Sequence, residues 1–251
     1  MTNEIGKRFV HLETRLADQL LQLNYPENVE YIYNPLSYAS SPHLDYVEKY
    51  ANDIPKPVLF LGMNPGPWGM AQTGVPFGEI QHVKNWLGIC SKVDKPAKEH
   101  PKKPIKGFNC TRREVSGERF WSFFSNTCQM PEVFFKNCIV YNHCPLVYMN
   151  KTGKNLTPPD LKIHSRNQVL SLCDQTLKAV IELYMVKHIV GIGRFAEARA
   201  KKVLQINKIE NVKVHFMIHP SPASPIANKG WGALAQEALI KANIYNIVQG
   251  N

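Results

Sequence analysis

A chain of 251 residues, 44% of them apolar, is long enough to bury a substantial core, and the lack of a linker-like break in composition favours one domain over residues 1–251. Thirty Lys and Arg against twenty Asp and Glu leave a net charge of +10, which points to a polyanionic partner. No apolar run is long enough to span a bilayer, Met1-Thr2-Asn3-Glu4 carries no signal-peptide pattern, and six cysteines without a CxxC pair read as reduced thiols, not as a disulfide framework or a metal site.

Leu12, Leu16, Leu20 and Leu23 recur at helical spacing, so an amphipathic helix is expected over 12–23. Residues 24–57 are rich in Tyr, Pro and Ser and read as irregular, with a helix near 44–50. Val58-Leu59-Phe60-Leu61 reads as a short buried strand that runs into a Gly- and Pro-rich loop over 62–78. Glycine lets backbone approach closely and proline stiffens the path, so a loop of this kind is shaped for a ligand. Residues 92–119 hold nine Lys or Arg against four acids and read as a basic surface excursion. A buried helix is expected from Phe120-Trp121-Ser122-Phe123-Phe124 onward, then a strand at 138–141, a helix over 168–185, strands at 188–191 and 212–218, and a closing helix over 233–242.

Strands alternating with helices imply an α/β fold with a parallel sheet covered on both faces. In such sheets, ligands bind beyond the carboxyl ends of the strands. Three polar residues stand at such ends, each before a proline-bearing turn: Asn64-Pro65, Asn142-His143-Cys144-Pro145 and His219-Pro220-Ser221-Pro222. Any one of them alone is a common turn former, and together they could converge in one crevice. Gly191-Ile192-Gly193-Arg194-Phe195-Ala196 fits the G-x-G-x-x-A dinucleotide fingerprint, but the acidic residue expected at the end of the next strand is missing. Glu210 precedes that strand, so the motif reads as a tight strand-to-helix turn.

The run from Gly62-Met63-Asn64-Pro65-Gly66-Pro67-Trp68-Gly69 to Val75-Pro76-Phe77-Gly78, with His219-Pro220-Ser221-Pro222 and Ala227-Asn228-Lys229-Gly230-Trp231, resembles the single-strand-selective monofunctional uracil-DNA glycosylases. Val115-Ser116-Gly117-Glu118-Arg119-Phe120-Trp121, Asn142 before Cys144-Pro145-Leu146, and Gly153-Lys154-Asn155-Leu156-Thr157-Pro158 support the match, which spans most of 15–245. The resemblance implies a three-layer α/β/α sandwich around a four-stranded parallel sheet. It also implies removal of uracil and 5-substituted uracils from single- and double-stranded DNA, without metal or organic cofactor, by a nuclear enzyme; a monomer is expected by default.

Two residues are then expected to be catalytic. By the resemblance, His219 donates to uracil O2 and Asn64 positions the attacking water; relatives with an aspartate there could also accept a proton, which an amide cannot do well. Asn142 can read the base edge, since its carbonyl accepts from N3–H and its NH2 donates to O4. Phe77 is the expected stacking platform, Met63 lends backbone to the pocket, and Gly66 leaves room for a 5-substituent. DNA is expected against Thr152, Gly153, Lys154, Asn155, Leu156, Lys162 and Arg166, and against Ser221, Ala223, Ala227, Asn228, Lys229 and Gly230. Ala223 departs from the pattern, because family members commonly carry an arginine there to fill the gap left by a flipped base. Asn64 in place of an acid keeps open a second reading, a lesion-binding protein without turnover, and residues 191–196 keep open a weaker third, a nucleotide-cofactor oxidoreductase.

Overall fold

The computed structural model describes residues 3–251. In chain order the regular elements are α1 (Glu4–Leu21), β1 (Tyr31–Tyr33), α2 (Pro35–Tyr38), α3 (Ser40–Tyr50), β2 (Val58–Gly62), α4 (Met70–Thr73), α5 (Ile80–Asn85), α6 (Val115–Cys128), α7 (Pro131–Asn137), β3 (Cys138–Asn142), β4 (Val147–Met149), β5 (Asn155–Leu156), α8 (Ile163–Leu183), β6 (His188–Ile192), α9 (Arg194–Ile206), β7 (Lys213–Met217), α10 (Trp231–Lys241) and α11 (Tyr245–Val248). Three single turns of 3-10 helix lie at Gly107–Asn109, Pro158–Asp160 and Ala227–Lys229.

Four strands form the parallel sheet, in the order β3-β2-β6-β7. The chain steps from β2 to β3 on one side and then crosses to β6 and β7 on the other. Connections therefore diverge at the carboxyl edge, where such folds open a crevice. The register sets Gly62 beside Asn142 and Ile192 beside Met217, so the strand exits are level. Every residue of β2 and β3 is buried, which is why both read as unbroken apolar runs. Phe60 packs against Phe120, Phe124 and Phe134 of α6 and α7. Phe9 of α1 packs edge-on against Tyr141 and Tyr184 in the layer that α1 shares with α8 and α9.

Residues 24–57, expected as irregular apart from one helix, also contain β1 and α2. β1 pairs antiparallel with β4, and β4 with β5, as a separate small sheet. Strands of two or three residues carry no periodicity, so nothing in the local pattern announced them. The opening helix begins eight residues before the expected stretch because Asn3 caps it, accepting from the backbone of Ile5 and Gly6. α6 likewise starts at Val115, where the Glu114 carboxylate accepts from the Ser116 and Gly117 N–H groups. α8 starts at Ile163, so Ile163–Arg166, expected as loop, is its first turn. No helix among the described residues is long and apolar enough to cross a membrane.

Candidate active site

The exits of β2, β3 and β7 surround a cavity of about 290 Å³ at the carboxyl edge of the sheet. Met63, Asn64, Gly66, Phe77, Asn142 and His219 all line it. They come from segments separated by up to 156 positions in sequence, between Met63 and His219.

Buried polar groups fix the loop that follows β2. Gln72 is fully buried; its Nε2 donates to the Pro67 and Pro104 carbonyls at 3.0 and 3.1 Å, and its Oε1 accepts from Lys106 N–H at 2.8 Å. Thr73 Oγ1 donates to Gly78 O at 3.1 Å, and a Cβ at Gly78 would lie 1.9 Å from that hydroxyl oxygen, so only glycine fits. At Gly74 the backbone turns left-handed, and its carbonyl meets His43 Nδ1 at 3.0 Å. Burial works against charge on His43, but the Glu13 carboxylate 2.8 Å from Nε2 outweighs it and raises the pKa.

Phe77 leaves this loop with φ 52, in the left-handed region that side chains rarely adopt. One face of its ring stacks on Phe120 at 4.6 Å and 14°. The ring also borders the cavity, 6.3 Å from the His219 ring. Gly117 permits this approach, because a Cβ there would lie 2.1 Å from the Phe77 carbonyl oxygen. Glu114 lines the cavity as well, and burial raises its pKa against the backbone N–H groups it caps.

The three polar residues hold unspent hydrogen-bonding capacity. Asn64 Nδ2 donates to the carbonyls of Pro65 and Leu146 at 3.3 and 3.4 Å, which leaves Oδ1 as a free acceptor. Asn142 is 6% exposed, and its Nδ2 donates to Met70 Sδ at 3.3 Å. A thioether can only accept, so this contact orients the amide and leaves Oδ1 and one N–H unspent. His219 meets no charged partner among the described residues; burial lowers its pKa to about 4, so the imidazole is neutral near pH 7. Its loop is held by Arg119, which donates to the carbonyls of Pro220 and Ser221 and to Asn228 Oδ1, and by Trp231 Nε1, which donates to Ile218 O at 2.7 Å. Gly193, whose φ of 88 favours glycine, packs beside His219.

That glycine belongs to the G-x-G-x-x-A turn. Gly191 is required for close packing, since a Cβ there would lie 2.4 Å from the Glu197 backbone nitrogen of α9. The Gly193 N–H is spent on Met217 O at 2.8 Å. The turn thus seats α9 on the sheet and backs the His219 exit.

Of the expected DNA surface, Thr152, Lys154, Lys162, Ala223, Asn228, Lys229 and Gly230 are exposed and Arg166 is half-buried. Asn155 and Ser221 line the cavity itself. Three residues lie elsewhere than expected. Leu156, 5% exposed, packs with Leu16, Leu20 and Tyr148; Ala227, 2% exposed, packs into the main core; and Gly153 is buried beneath His100. The side chains of Leu156 and Ala227 anchor the two segments and do not face outward. Glu114 and Arg119 were not singled out from the sequence as site residues, although both adjoin or lie within the Val115–Trp121 match.

A family model described as the uracil DNA glycosylase superfamily matches residues 48–243. The chain is 51% identical over 235 residues to a single-strand selective monofunctional uracil-DNA glycosylase of Rattus norvegicus, a match covering 94% of this chain and 84% of that protein. It is 50% identical to the Bos taurus protein of that name, over 94% and 86% of the two chains, and 50% identical to the Mus musculus one, over 95% and 85%. Its fold is similar to the crystal structure of wild-type SMUG2 of Pedobacter heparinus, with a TM-score of 0.66, 17% identity, and coverage of 94% and 98%. The chain belongs to the uracil DNA glycosylase superfamily, within its single-strand selective monofunctional branch.

Proposed function

We propose that this chain is a monofunctional DNA glycosylase. It hydrolyses the bond between base and deoxyribose at uracil and at 5-substituted uracils such as 5-hydroxymethyluracil, in single- and double-stranded DNA, and so begins base excision repair. One observation carries the proposal: Asn64, Asn142 and His219 border a single cavity with acceptors and donors unspent, next to the uncovered face of Phe77.

A target nucleotide would be turned out of the strand, since its glycosidic bond is otherwise hidden. Its base would stack on Phe77, worth roughly 1–3 kcal/mol. Asn142 Oδ1 would accept from N3–H while Nδ2 donates to O4; cytosine reverses both polarities and would leave buried groups unpaired. Gly66, with nothing within 4 Å of a built Cβ, would leave room for a group on C5, and Met63 would border the base with its backbone.

As the bond breaks, the sugar gains oxocarbenium character and the base leaves as an anion. His219 would donate from a neutral imidazole to O2, a preorganised contact of roughly 3–4 kcal/mol. Asn64 Oδ1 would align water against the sugar carbon. Its amide cannot take the proton, so the reading implies a slow enzyme that relies on alignment. The chemistry uses no metal or organic cofactor. Thr152, Lys154, Asn155, Lys162 and Arg166 on one side, and Ser221, Ala223, Asn228, Lys229 and Gly230 on the other, would flank the strand. We read the chain as a single-domain monomer and, with DNA as substrate, as nuclear.

The test is incubation with a single-stranded oligonucleotide bearing one uracil, followed by alkali. Strand scission only after alkali supports the proposal, because a monofunctional enzyme leaves an intact abasic site. Binding without scission would identify a lesion-binding protein, and inertness would remove the reading.

A further inference from the structure

The basic excursion over 92–119 sorts its own cations. Lys92, Lys95 and Arg113 pair with Asp94, Glu99 and Glu118. Lys98 lies over the Tyr31 ring and donates to Glu30 O, and Arg119 is spent on the turn after His219. The remaining four, Lys102, Lys103, Lys106 and Arg112, have no carboxylate partner among the described residues. All four line one cleft of about 580 Å³, together with Lys154 and Trp68, and no acidic residue among the described residues lines it.

Like charges gathered without a counter-ion repel, so something must hold them. Trp68 does so in part: Lys103 Nζ lies 4.5 Å and Arg112 Cζ 5.0 Å from its ring centroid. Burial and the neighbouring Arg112 charge both lower the Lys103 pKa, a stress that a bound anion would relieve. The walls are tied to the candidate active site. Trp68 stands between Gly66 and Gly69, and Lys154 beside Asn155, all three of which line the smaller cavity. His100 joins the two sides of the cleft, with Nε2 3.0 Å from Lys151 O and Nδ1 accepting from Lys102 N–H at 3.0 Å. Gln72 clamps Lys106 to the Trp68 loop.

We infer that this cleft is a second DNA-binding site, which takes the phosphates of the single strand running on from the nucleotide held in the smaller cavity. The inference rests on the proposed glycosylase reading, which supplies the strand. A row of fixed cations beside an aromatic wall suits a flexible backbone, whose unpaired bases leave its phosphates free to follow the cleft. It also gives the chain's positive charge a specific use at the rim of the cavity.

The experiment compares the wild-type chain with the double variant Lys103→Ala, Arg112→Ala and with the charge-conserving Lys103→Arg, Arg112→Lys. Binding is measured against salt on a long single-stranded oligonucleotide, with and without a central uracil, and on a uracil-bearing trinucleotide. In the alanine variant, the slope of log affinity against log salt should fall by about 0.7 for each phosphate that is no longer neutralised. The charge-conserving variant should keep the slope, and trinucleotide turnover should be unchanged in both. An unchanged slope in the alanine variant, or an equal loss on the trinucleotide, overturns the inference. Because the slope is also read on DNA without uracil, an unchanged slope in a chain that excises uracil removes only the cleft. A lowered slope in a chain that excises nothing keeps the cleft and removes the glycosylase reading.

Discussion

Asn142 Oδ1 lies so close over the α-carbon of Gly62 that a Cβ there would stand 2.3 Å away. The same Cβ would lie 3.1 Å from Phe77 Cε2. Gly62 is thus the shared backing of the base-reading amide and of the stacking ring. Both neighbours are the far ends of side chains, so Gly62→Ala should fold and displace them. Uracil excision in single-turnover kinetics should drop by roughly 1–3 kcal/mol of lost edge recognition, about fivefold to 150-fold, with the melting temperature little changed.

Acid should weaken the folded chain through His219. Burial lowers its pKa to about 4 from an unfolded value of 6.5. As pH falls below about 6.5 the unfolded chain gains a proton there that the folded chain refuses. Stability is therefore lost between about pH 6.5 and 4, by about 3 kcal/mol from this group, and levels off below. Urea denaturation of wild type and His219→Leu across that range checks this: the variant should lack that part of the decline.

Asn64→Asp should cost stability at neutral pH. The amide donates to the carbonyls of Pro65 and Leu146, and a carboxylate would turn an oxygen toward two oxygens. The penalty should be about 1–3 kcal/mol. It should shrink on acidification as the new carboxyl takes up a proton and can donate again. Thermal unfolding of wild type and variant, run in parallel at pH 5 and about 7.5, reads the difference directly.

Gly66→Ala should fold normally, because nothing lies within 4 Å of the added methyl. The methyl would occupy space on the cavity wall. Excision of 5-hydroxymethyluracil should fall about tenfold relative to uracil, the scale of one misfit methyl group. Competition between the two bases in one single-stranded oligonucleotide measures the ratio.

The central strands were legible because burial on both faces leaves continuous apolar runs at 58–61, 138–141 and 188–191. Asn64, Asn142 and His219 were legible as a set because a proline-bearing turn marks each exit. Arg119 was not, because the Pro220–Ser221 carbonyls that it holds are about a hundred residues away; Glu114 caps the local Ser116 and Gly117 N–H groups, and only its place on the cavity wall, with Gly117 beneath Phe77, depends on folding. Leu156 and Ala227 were assigned outward with the motifs that contain them, yet a rim segment needs inward anchors, and these two supply them. The antiparallel sheet escaped because its pairing partners, such as Tyr33 and Val147, have no mutual signal in a linear reading.

The Phe77–Phe120 stack continues inward, where Phe120 meets Phe60, Trp121, Phe124 and Trp231. The platform is thus the outermost tile of the hydrophobic interior. Drift that loosens the interior would therefore blunt recognition long before it unfolds the chain.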